Sequence, residues 1–348
     1  MAFVHWGKPL SILIVGSGLG GVTLAEELRK LAPEKSIHLV TQETHGYYAR
    51  PMLSHAFTRD DIEEKIILKS FDALRTLGIM VDEGWTVTAI DPSKHQVSME
   101  RSGTSQTLDY QTLVLAQGSE AFVPAPFRPF LPHLLTVNSL DDVIALRRLR
   151  ANTLAQGEKP RWALIGGGLI GCEVASDMAR AGDDVTLIHP LPKLMERQLE
   201  DEDAVLLQSV LEQQGVMVLT STTATEIQNA EDRKQILTDR GMLGPFDGVL
   251  LCTGFKPRTQ LAEAAGIQTG RGIKVDPHLR TSINDIYAVG DAVEIEDGRV
   301  FAYILPVRQQ ASWLARHLSG ESQDPWTPPD FKPRAKVQGF TANHPYKN

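Results

Sequence analysis

The clearest structural signal in the chain is SILIVGSGLGGVTLAEELRKL, at residues 11–31. It reads as a buried strand, a glycine-rich turn and a helix, with the GxGxxG spacing supplied by Gly16, Gly18 and Gly21. Glycines so spaced allow a tight turn, the approach of a pyrophosphate to the backbone, and close packing of helix on strand. The following strand-like run ends at Glu43, about 20 residues further on, where a ribose-binding acid is expected.

The same pattern occurs a second time, over residues 161–189. Its glycines are Gly166, Gly168 and Gly171, again between a strand-like run and a helix-like run. Two copies of one strand–turn–helix–strand unit predict an α/β protein with two doubly wound, Rossmann-like dinucleotide-binding domains.

The second copy departs from the first at the end of its second strand, where His189 stands in place of an acid. Without that acid, the 2′-hydroxyl of a ribose loses its expected partner. Yet no arginine stands directly at the strand end, although Lys193 and Arg197 follow soon after and could hold a 2′-phosphate. The pattern favours NADH and leaves NADPH open.

Length and composition narrow the class of protein. The 348 residues are 42% apolar and 22% charged, as in a globular protein of about two domains of roughly 150 residues. A net charge of -8 argues against a nucleic-acid partner. We find no run of about 18 apolar residues to span a membrane and no signal peptide at the start. Cys172 and Cys252 have no metal-site or CxxC spacing, so we expect no metal and a cytoplasmic, reducing environment.

The rest of the chain gives further helices and strands. We expect helices over about 139–150, 201–214 and 307–318, the last ended by Gly320. The proline-rich run 123–132 reads as a connector that cannot hold a helix. Buried strands are expected in TLVLAQG and DGVLLCTG, and a polar, extended tail after residue 320.

These motifs resemble the FAD-dependent pyridine nucleotide oxidoreductases over roughly residues 10–320. A third signature, TSINDIYAVGDAVEI at 281–295, carries the Gly-Asp pair that binds FAD in that family, here Gly290 and Asp291. Within the family, four stretches are most similar to rubredoxin reductases: GYYARPMLSHAF (46–57), LIGGGLIGCEVASDMARAG (164–182), GIKVDPHLRTS (272–282) and ILPVRQQASWLARHLSGE (304–321).

The resemblance implies how the chain is divided into domains and which residues bind each cofactor. Residues 1–119 and 247–320 would form a discontinuous FAD-binding domain, and 120–246 an NAD(P)-binding domain. Residues 321–348 would be a tail or the remnant of an interface domain, because relatives carry a further C-terminal domain. The implied FAD-binding residues are Gly16, Gly18, Leu19, Gly21, Glu43, Arg50, Pro51, Val87, Ala116, Gly118, Gly290, Asp291, Pro306 and Val307. The implied NAD(P)-binding residues are Gly166, Gly168, Leu169, Ile170, Glu173, His189 and Gly254.

The family's catalytic positions map onto Glu173, His55 and Arg50. A cation such as Arg50 would stabilise an anionic reduced flavin. Related ferredoxin reductases share an RPxLSK-like pattern, in which His55 replaces the lysine here. We expect Glu173 to pair with His55.

The region that matches the family's redox-active cysteines contains none. Disulfide reduction requires a thiolate, so we expect FAD to pass its electrons directly to an outside acceptor. The resemblance implies rubredoxin or a similar small iron carrier, met by a monomer or weak homodimer. An acidic carrier would need a basic patch, for which the candidates are Arg50, Arg59, Lys65, Arg308, Lys332, Arg334 and Lys336.

Two other functions stay open from the sequence. One is a ferredoxin reductase or general diaphorase with another acceptor. The other is a flavoprotein with slow turnover that acts by binding a partner.

Overall fold

The structure is a computed structural model, and it describes residues 12–347. The expected absence of a signal peptide and the strand start at Ser11 lie outside the described residues, as does the last residue of the tail. The strands are, in chain order, β1 Ile12–Val15, β2 Ile37–Thr41, β3 Tyr47–Tyr48, β4 Ile67–Lys69, β5 Met80–Glu83, β6 Thr86–Asp91, β7 Gln96–Arg101, β8 Thr104–Asp109, β9 Thr112–Leu115, β10 Ser119–Ala121, β11 Arg161–Ile165, β12 Asp184–Ile188, β13 Val216–Leu219, β14 Ala224–Ala230, β15 Arg233–Thr238, β16 Gly241–Phe246, β17 Gly248–Leu251, β18 Phe255–Pro257, β19 Ile273–Lys274, β20 Ile286–Ala288 and β21 Val293–Glu294.

The helices include both glycine-motif helices expected from the sequence. The α-helices are α1 Leu19–Leu31, α2 Ile62–Lys65, α3 Phe71–Thr76, α4 Leu140–Ala155, α5 Leu169–Arg180, α6 Asp201–Gln213, α7 Gln260–Ala264 and α8 Ile304–Ser319. Two 3₁₀ helices lie at Arg50–His55 and Ala125–His133.

Among the described residues, the first compact unit comprises 12–49, 67–120 and 256–331. Its parallel sheet has the strand order β20-β9-β1-β2-β5, and the four residues of β1 are all buried. An antiparallel sheet, β6-β7-β8, lies in the same unit. A Cβ on Gly20 of α1 would lie 3.5 Å from Cγ1 of Val307, so glycine allows α8 to pack closely on α1.

The second compact unit comprises residues 50–66, 121–255 and 332–347. Its parallel sheet has the order β13-β12-β11-β17, and its antiparallel sheet has the order β14-β15-β16. Buried apolar side chains from both sheets, such as Ile165 and Ile236, share one core. The second glycine motif joins β11 to α5, as the first joins β1 to α1.

These units differ from the predicted domain boundaries in three places. Strand β17 was expected with the FAD-binding domain, but it lies in the second unit because it pairs in parallel with β11. Residues 50–66 also lie in the second unit, where Phe57 and Thr58 donate backbone hydrogen bonds to Asp177. The tail divides after Phe331 between the two units.

Two helices begin or end at the residues that the sequence indicated. The capping box of Ser139 and Asp142 begins α4, and Gly320, with φ +89°, ends α8. Helix α4 continues to Ala155, beyond the expected end, because no glycine or proline interrupts it before Gly157. The expected connector at 123–132 is wrong in one respect, since Ala125–His133 forms a 3₁₀ helix. The fixed φ of proline is compatible with that tighter helix.

Candidate functional site

The first glycine-rich turn is built around backbone contacts that only glycine permits. Gly16 has φ +112°, and a Cβ there would lie 2.3 Å from the carbonyl oxygen of Ala116. A Cβ on Gly21 would lie 1.9 Å from the oxygen of Gly16. These two glycines therefore let β1, β9 and α1 meet at one point.

Gly18 serves a different purpose in the same turn. It is the N-cap of α1, and no side chain caps the helix there. No atom of residues 12–347 would lie within 4 Å of a Cβ on Gly18. Among these residues, therefore, nothing blocks the approach to the first backbone N–H groups of the helix, which begin at Leu19. Open N–H groups and the positive end of a helix dipole fit a pyrophosphate.

Glu43 follows β2 and is held in place from both sides. The hydroxyl of Tyr48 donates to its Oε1 at 2.9 Å, and its backbone N–H donates to Oγ1 of Thr41 at 3.1 Å. Thr41 also shares a hydrogen bond of 2.8 Å with Ser17 in the glycine turn. Sequence reasoning found Glu43 but missed these three supporting side chains, which the strand end brings to the turn.

The Gly-Asp signature lies beside the same strand ends, since β20 pairs with β9. Gly290 donates its N–H to Oε1 of Gln310, on α8, at 2.8 Å. Asp291 accepts a hydrogen bond of 3.1 Å from Ser119, just after Gly118, whose φ is +69°. Pro306 and Val307 lie in the first turn of α8.

The first unit also contains buried polar atoms that fit a bound polar group. Oε1 of Gln117 and Nε2 of Gln310 are buried and have no hydrogen-bond partner among residues 12–347. Both belong to segments that carry FAD-binding residues in the predicted set, so the described residues fit FAD. Val87, which is also in the predicted FAD-binding set, lies in β6 of the antiparallel sheet. Its side chain is partly buried and packs against the core of the first unit.

The second glycine-rich turn makes the same close backbone contacts as the first. Gly166 has φ +117°, and a Cβ there would lie 2.4 Å from the oxygen of Cys252. Gly171 would place a Cβ 2.0 Å from the oxygen of Gly166. Gly168 is an uncapped N-cap whose Cβ would meet nothing within 4 Å. Leu169 and Ile170 open α5, and Gly254, with φ +104°, follows β17. This turn too fits a dinucleotide.

Glu173 lies one turn into α5 with only 6% of its surface exposed. Its Oε2 accepts a hydrogen bond of 2.6 Å from Ser54 Oγ, and its Oε1 accepts one of 2.9 Å from the backbone N–H of Lys336. Nε2 of His55 lies 4.0 Å from Oε2. The expected pairing with His55 is thus a contact at the limit of an ion pair. The hydrogen-bond partners are Ser54 and Lys336, which sequence reasoning did not find.

The protonation of His55 follows from these neighbours. Burial lowers the pKa of His55, while the carboxylates of Glu173 and Asp177 act in the opposite direction and the Lys336 and Arg59 cations add to the lowering. His55 is therefore harder to protonate than a free histidine, and it lies beside a carboxyl group whose two oxygens both accept hydrogen bonds.

Arg50 and Pro51 begin the 3₁₀ helix that carries Ser54 and His55. The Arg50 guanidinium donates to the carbonyl of Asn138, and the carbonyl of Pro51 accepts a hydrogen bond of 3.4 Å from the Lys336 ammonium. The structure thus brings Glu173, His55, Pro51 and Lys336 together in the second unit.

The two cysteines are free and buried. Burial raises the pKa of the Cys252 thiol to about 12 and raises that of Cys172 further. The Cys172 thiol donates to the carbonyl of Gly167. With both pKa values raised by burial, neither thiol loses its proton readily at neutral pH.

Two further observations concern the part of the chain that the structure describes. Residues 12–347 contain no group of histidine, cysteine and carboxylate side chains arranged to hold a metal ion. Across the same residues, every helix is too short or too polar to cross a bilayer.

Known proteins share this architecture. A rubredoxin-NAD(+) reductase of Acinetobacter baylyi is 36% identical over 89% of this chain and 79% of its own length. A ferredoxin reductase of Rhodopseudomonas palustris, with a TM-score of 0.81 and 27% identity, covers 92% of this chain and 78% of its own. The NADH:rubredoxin oxidoreductase of Clostridium acetobutylicum has a TM-score of 0.77 and 25% identity over 95% of this chain and 80% of its own.

The family comparison covers both glycine-rich turns. The model of the family described as "Pyridine nucleotide-disulphide oxidoreductase" matches residues 10–312. The chain therefore belongs to the pyridine nucleotide-disulphide oxidoreductase family, as an enzyme with the two-dinucleotide-binding flavoprotein fold.

Proposed function

We propose that this enzyme takes a hydride from NADH onto bound FAD and delivers single electrons to rubredoxin or a similar small iron protein. The similar proteins of A. baylyi and C. acetobutylicum are named for rubredoxin and for NAD(+) or NADH. The observation that carries the proposal is a matched pair of uncapped glycine-rich turns in a chain whose thiols are both buried. Two nucleotides can bind, and electrons must leave without a disulfide.

FAD, when bound, accepts a hydride and gives up electrons one at a time. The residues of the first unit would bind and orient it. The open N–H groups at Gly18 would hold the pyrophosphate, and Glu43, fixed by Tyr48, would accept from the ribose hydroxyls. Asp291 would hold the ribityl–pyrophosphate region, and the first turn of α8 would direct N–H groups toward the ring.

The residues of the second unit would place the nicotinamide. The turn at Gly168 would hold its pyrophosphate. Glu173 would orient the nicotinamide carboxamide, because its side chain is buried and fixed from two directions. We propose that His55, whose pKa is lowered by burial, fills space beside that carboxyl group rather than neutralising it.

Anaerobic mixing tests the proposal. The purified protein is mixed with NADH and, separately, with NADPH, while the visible flavin absorbance is followed by stopped flow. Oxidised rubredoxin is then added. We expect fast bleaching by NADH and rapid recovery on addition of rubredoxin. A protein without a flavin band, or with a band that neither nucleotide bleaches, would contradict the proposal.

A variant sharpens that test. Gly168→Asp places a carboxylate where a Cβ meets nothing within 4 Å, so the fold and bound FAD should survive. The added charge should repel the pyrophosphate of NADH and abolish fast bleaching. Loss of FAD from this variant would show that the second turn does not act on the nicotinamide nucleotide alone.

One structural comparison favours a second class of electron acceptor. The R. palustris ferredoxin reductase superimposes with a TM-score of 0.81, so a ferredoxin is the alternative acceptor. Turnover with rubredoxin, a ferredoxin and a small dye, compared side by side, separates these possibilities. Very slow bleaching by NADH, together with tight binding of a protein, would instead favour a flavoprotein that acts by partner binding.

We further propose a cytoplasmic enzyme that is a monomer or a weak homodimer. Two free, buried cysteines are compatible with a reducing compartment. Sedimentation of the holoenzyme at several concentrations would establish the oligomeric state.

A further inference from the structure

The end of strand β12 carries a histidine where dinucleotide-binding turns place a ribose-binding acid. His189 does not point away from the turn. The N–H of Gly167, inside the glycine motif, donates to Nδ1 of His189 at 3.1 Å. Only 6% of the residue is exposed. His189 is therefore part of the wall of the turn.

The other ring nitrogen of His189 faces a carboxylate. Nε2 lies 3.2 Å from Oε2 of Glu196. Because Nδ1 accepts a hydrogen bond from Gly167, the neutral ring carries its proton on Nε2 and donates it to Glu196. The histidine thus connects the glycine turn to an acid seven positions later in the sequence.

The segment that carries Glu196 is fastened to the same turn. The N–H of Met195 donates to the carbonyl of Gly167 at 2.9 Å, and the side chains of Leu194 and Met195 are fully buried. A Cβ on Gly167 would lie 2.5 Å from Cδ2 of Leu194, so the segment lies directly on the turn. Glu196 keeps 29% of its side chain exposed, which leaves its carboxylate available to a ligand.

The two cations that could have held a 2′-phosphate are placed unfavourably for that purpose. The Lys193 ammonium forms an ion pair with Asp201. Nε of Arg197 lies 3.8 Å from Oε1 of Glu196, so any phosphate approaching Arg197 also approaches the carboxylate.

We propose that Glu196, positioned by His189, is the carboxylate that selects NADH over NADPH. It would accept hydrogen bonds from the adenosine ribose hydroxyls and repel a 2′-phosphate. The acid missing from the strand end is thus replaced by one delivered from the following segment. This inference deepens the proposed function, on which it rests, since it concerns the nucleotide that reduces the enzyme.

Binding of redox-inert fragments tests the role of Glu196 without hydride transfer. ADP-ribose and its 2′-phosphate are titrated into FAD-loaded protein by calorimetry. We expect the wild type to prefer ADP-ribose. Glu196→Gln should shrink that preference about tenfold, as expected for one hydrogen bond to a charged group. Glu196→Asp, which keeps the charge, should retain most of it.

The matched control is Glu212→Gln, which removes the same charge from an exposed position on α6 in the same unit. It should leave the preference unchanged. An unchanged preference in Glu196→Gln, or a wild type that prefers the 2′-phosphate, would overturn the inference. If the flavin were not reduced by NADH while the fragments still discriminated as expected, the proposed function would fail and the role of Glu196 would stand.

Discussion

At the scale of single residues, the buried carboxyl side chain of Glu173 joins three segments of the second unit. The two oxygens of Glu173 accept hydrogen bonds from Ser54 and from the backbone of Lys336. A lysine at position 55, as in the RPxLSK-like pattern of ferredoxin reductases, would have offered a permanent cation instead. The ring of His55 is charged only when it is protonated, so the charge at position 55 depends on pH.

His55 should make the stability of the protein depend on pH in a defined direction. Burial lowers its pKa in the folded protein, so below the ordinary histidine pKa of about 6.5 the unfolded chain binds the proton more readily. The contribution of the neutral ring is fully present above that value and is lost as the pH falls through it toward the folded pKa. Unfolding free energies of wild type and His55→Gln, measured from about pH 5 to 8, should diverge at the acidic end.

The wild type should lose stability relative to His55→Gln as the pH decreases. A difference between the two proteins that stays constant across that range would show that the folded ring titrates like a free histidine.

At the scale of elements, the segment 332–347 holds the second unit by backbone contacts rather than by regular structure. The N–H of Lys336 donates to Glu173. Further along the segment, the N–H groups of Asn343 and His344 donate to the buried carboxylate of Asp203 at 2.7 and 2.9 Å. Asp203 lies in the first turn of α6. The segment thus connects the start of α6 to Glu173.

Asp203→Ala should release the far end of this segment. Each of the two amides loses a hydrogen bond to a charged group, so their hydrogen exchange should accelerate about tenfold or more. The control is Glu212→Ala, which removes an exposed acid further along the same helix. Equal exchange at Asn343 and His344 in both variants would mean that Asp203 does not hold the segment.

The elements that the sequence predicted well are those whose geometry is local. Glycine turns, the helix start near Ser139 and the helix end at Gly320 each depend on a few adjacent residues. The contacts of Glu173 could not be predicted, because its partners lie 119 and 163 positions away in the chain. The inward orientation of His189 likewise depends on packing against Gly167, which no spacing rule records.

At the scale of the whole molecule, the charge pattern bears on the acceptor. The net charge is -8, while the candidate basic residues fall mainly in the second unit. They include Arg59, Lys332 and Arg334 from the segments 50–66 and 332–348. The predicted docking patch remains a hypothesis that salt can test.

Rubredoxin turnover should fall steeply as salt is added, because screening weakens steering between an acidic carrier and basic residues. The loss should appear as a rise in KM with little change in kcat. A neutral dye acceptor should show a flat profile under the same conditions. If rubredoxin gave the same flat profile, charge attraction would not guide this encounter.

The burial of both cysteines makes the molecule convenient to label. A single cysteine introduced at an exposed position would be the one thiol that a maleimide readily reaches. A fluorophore or spin probe could then be attached to each compact unit in turn, without first removing a native thiol. The same burial should make the native enzyme tolerant of alkylating agents and of dilute peroxide, which act on accessible thiolates.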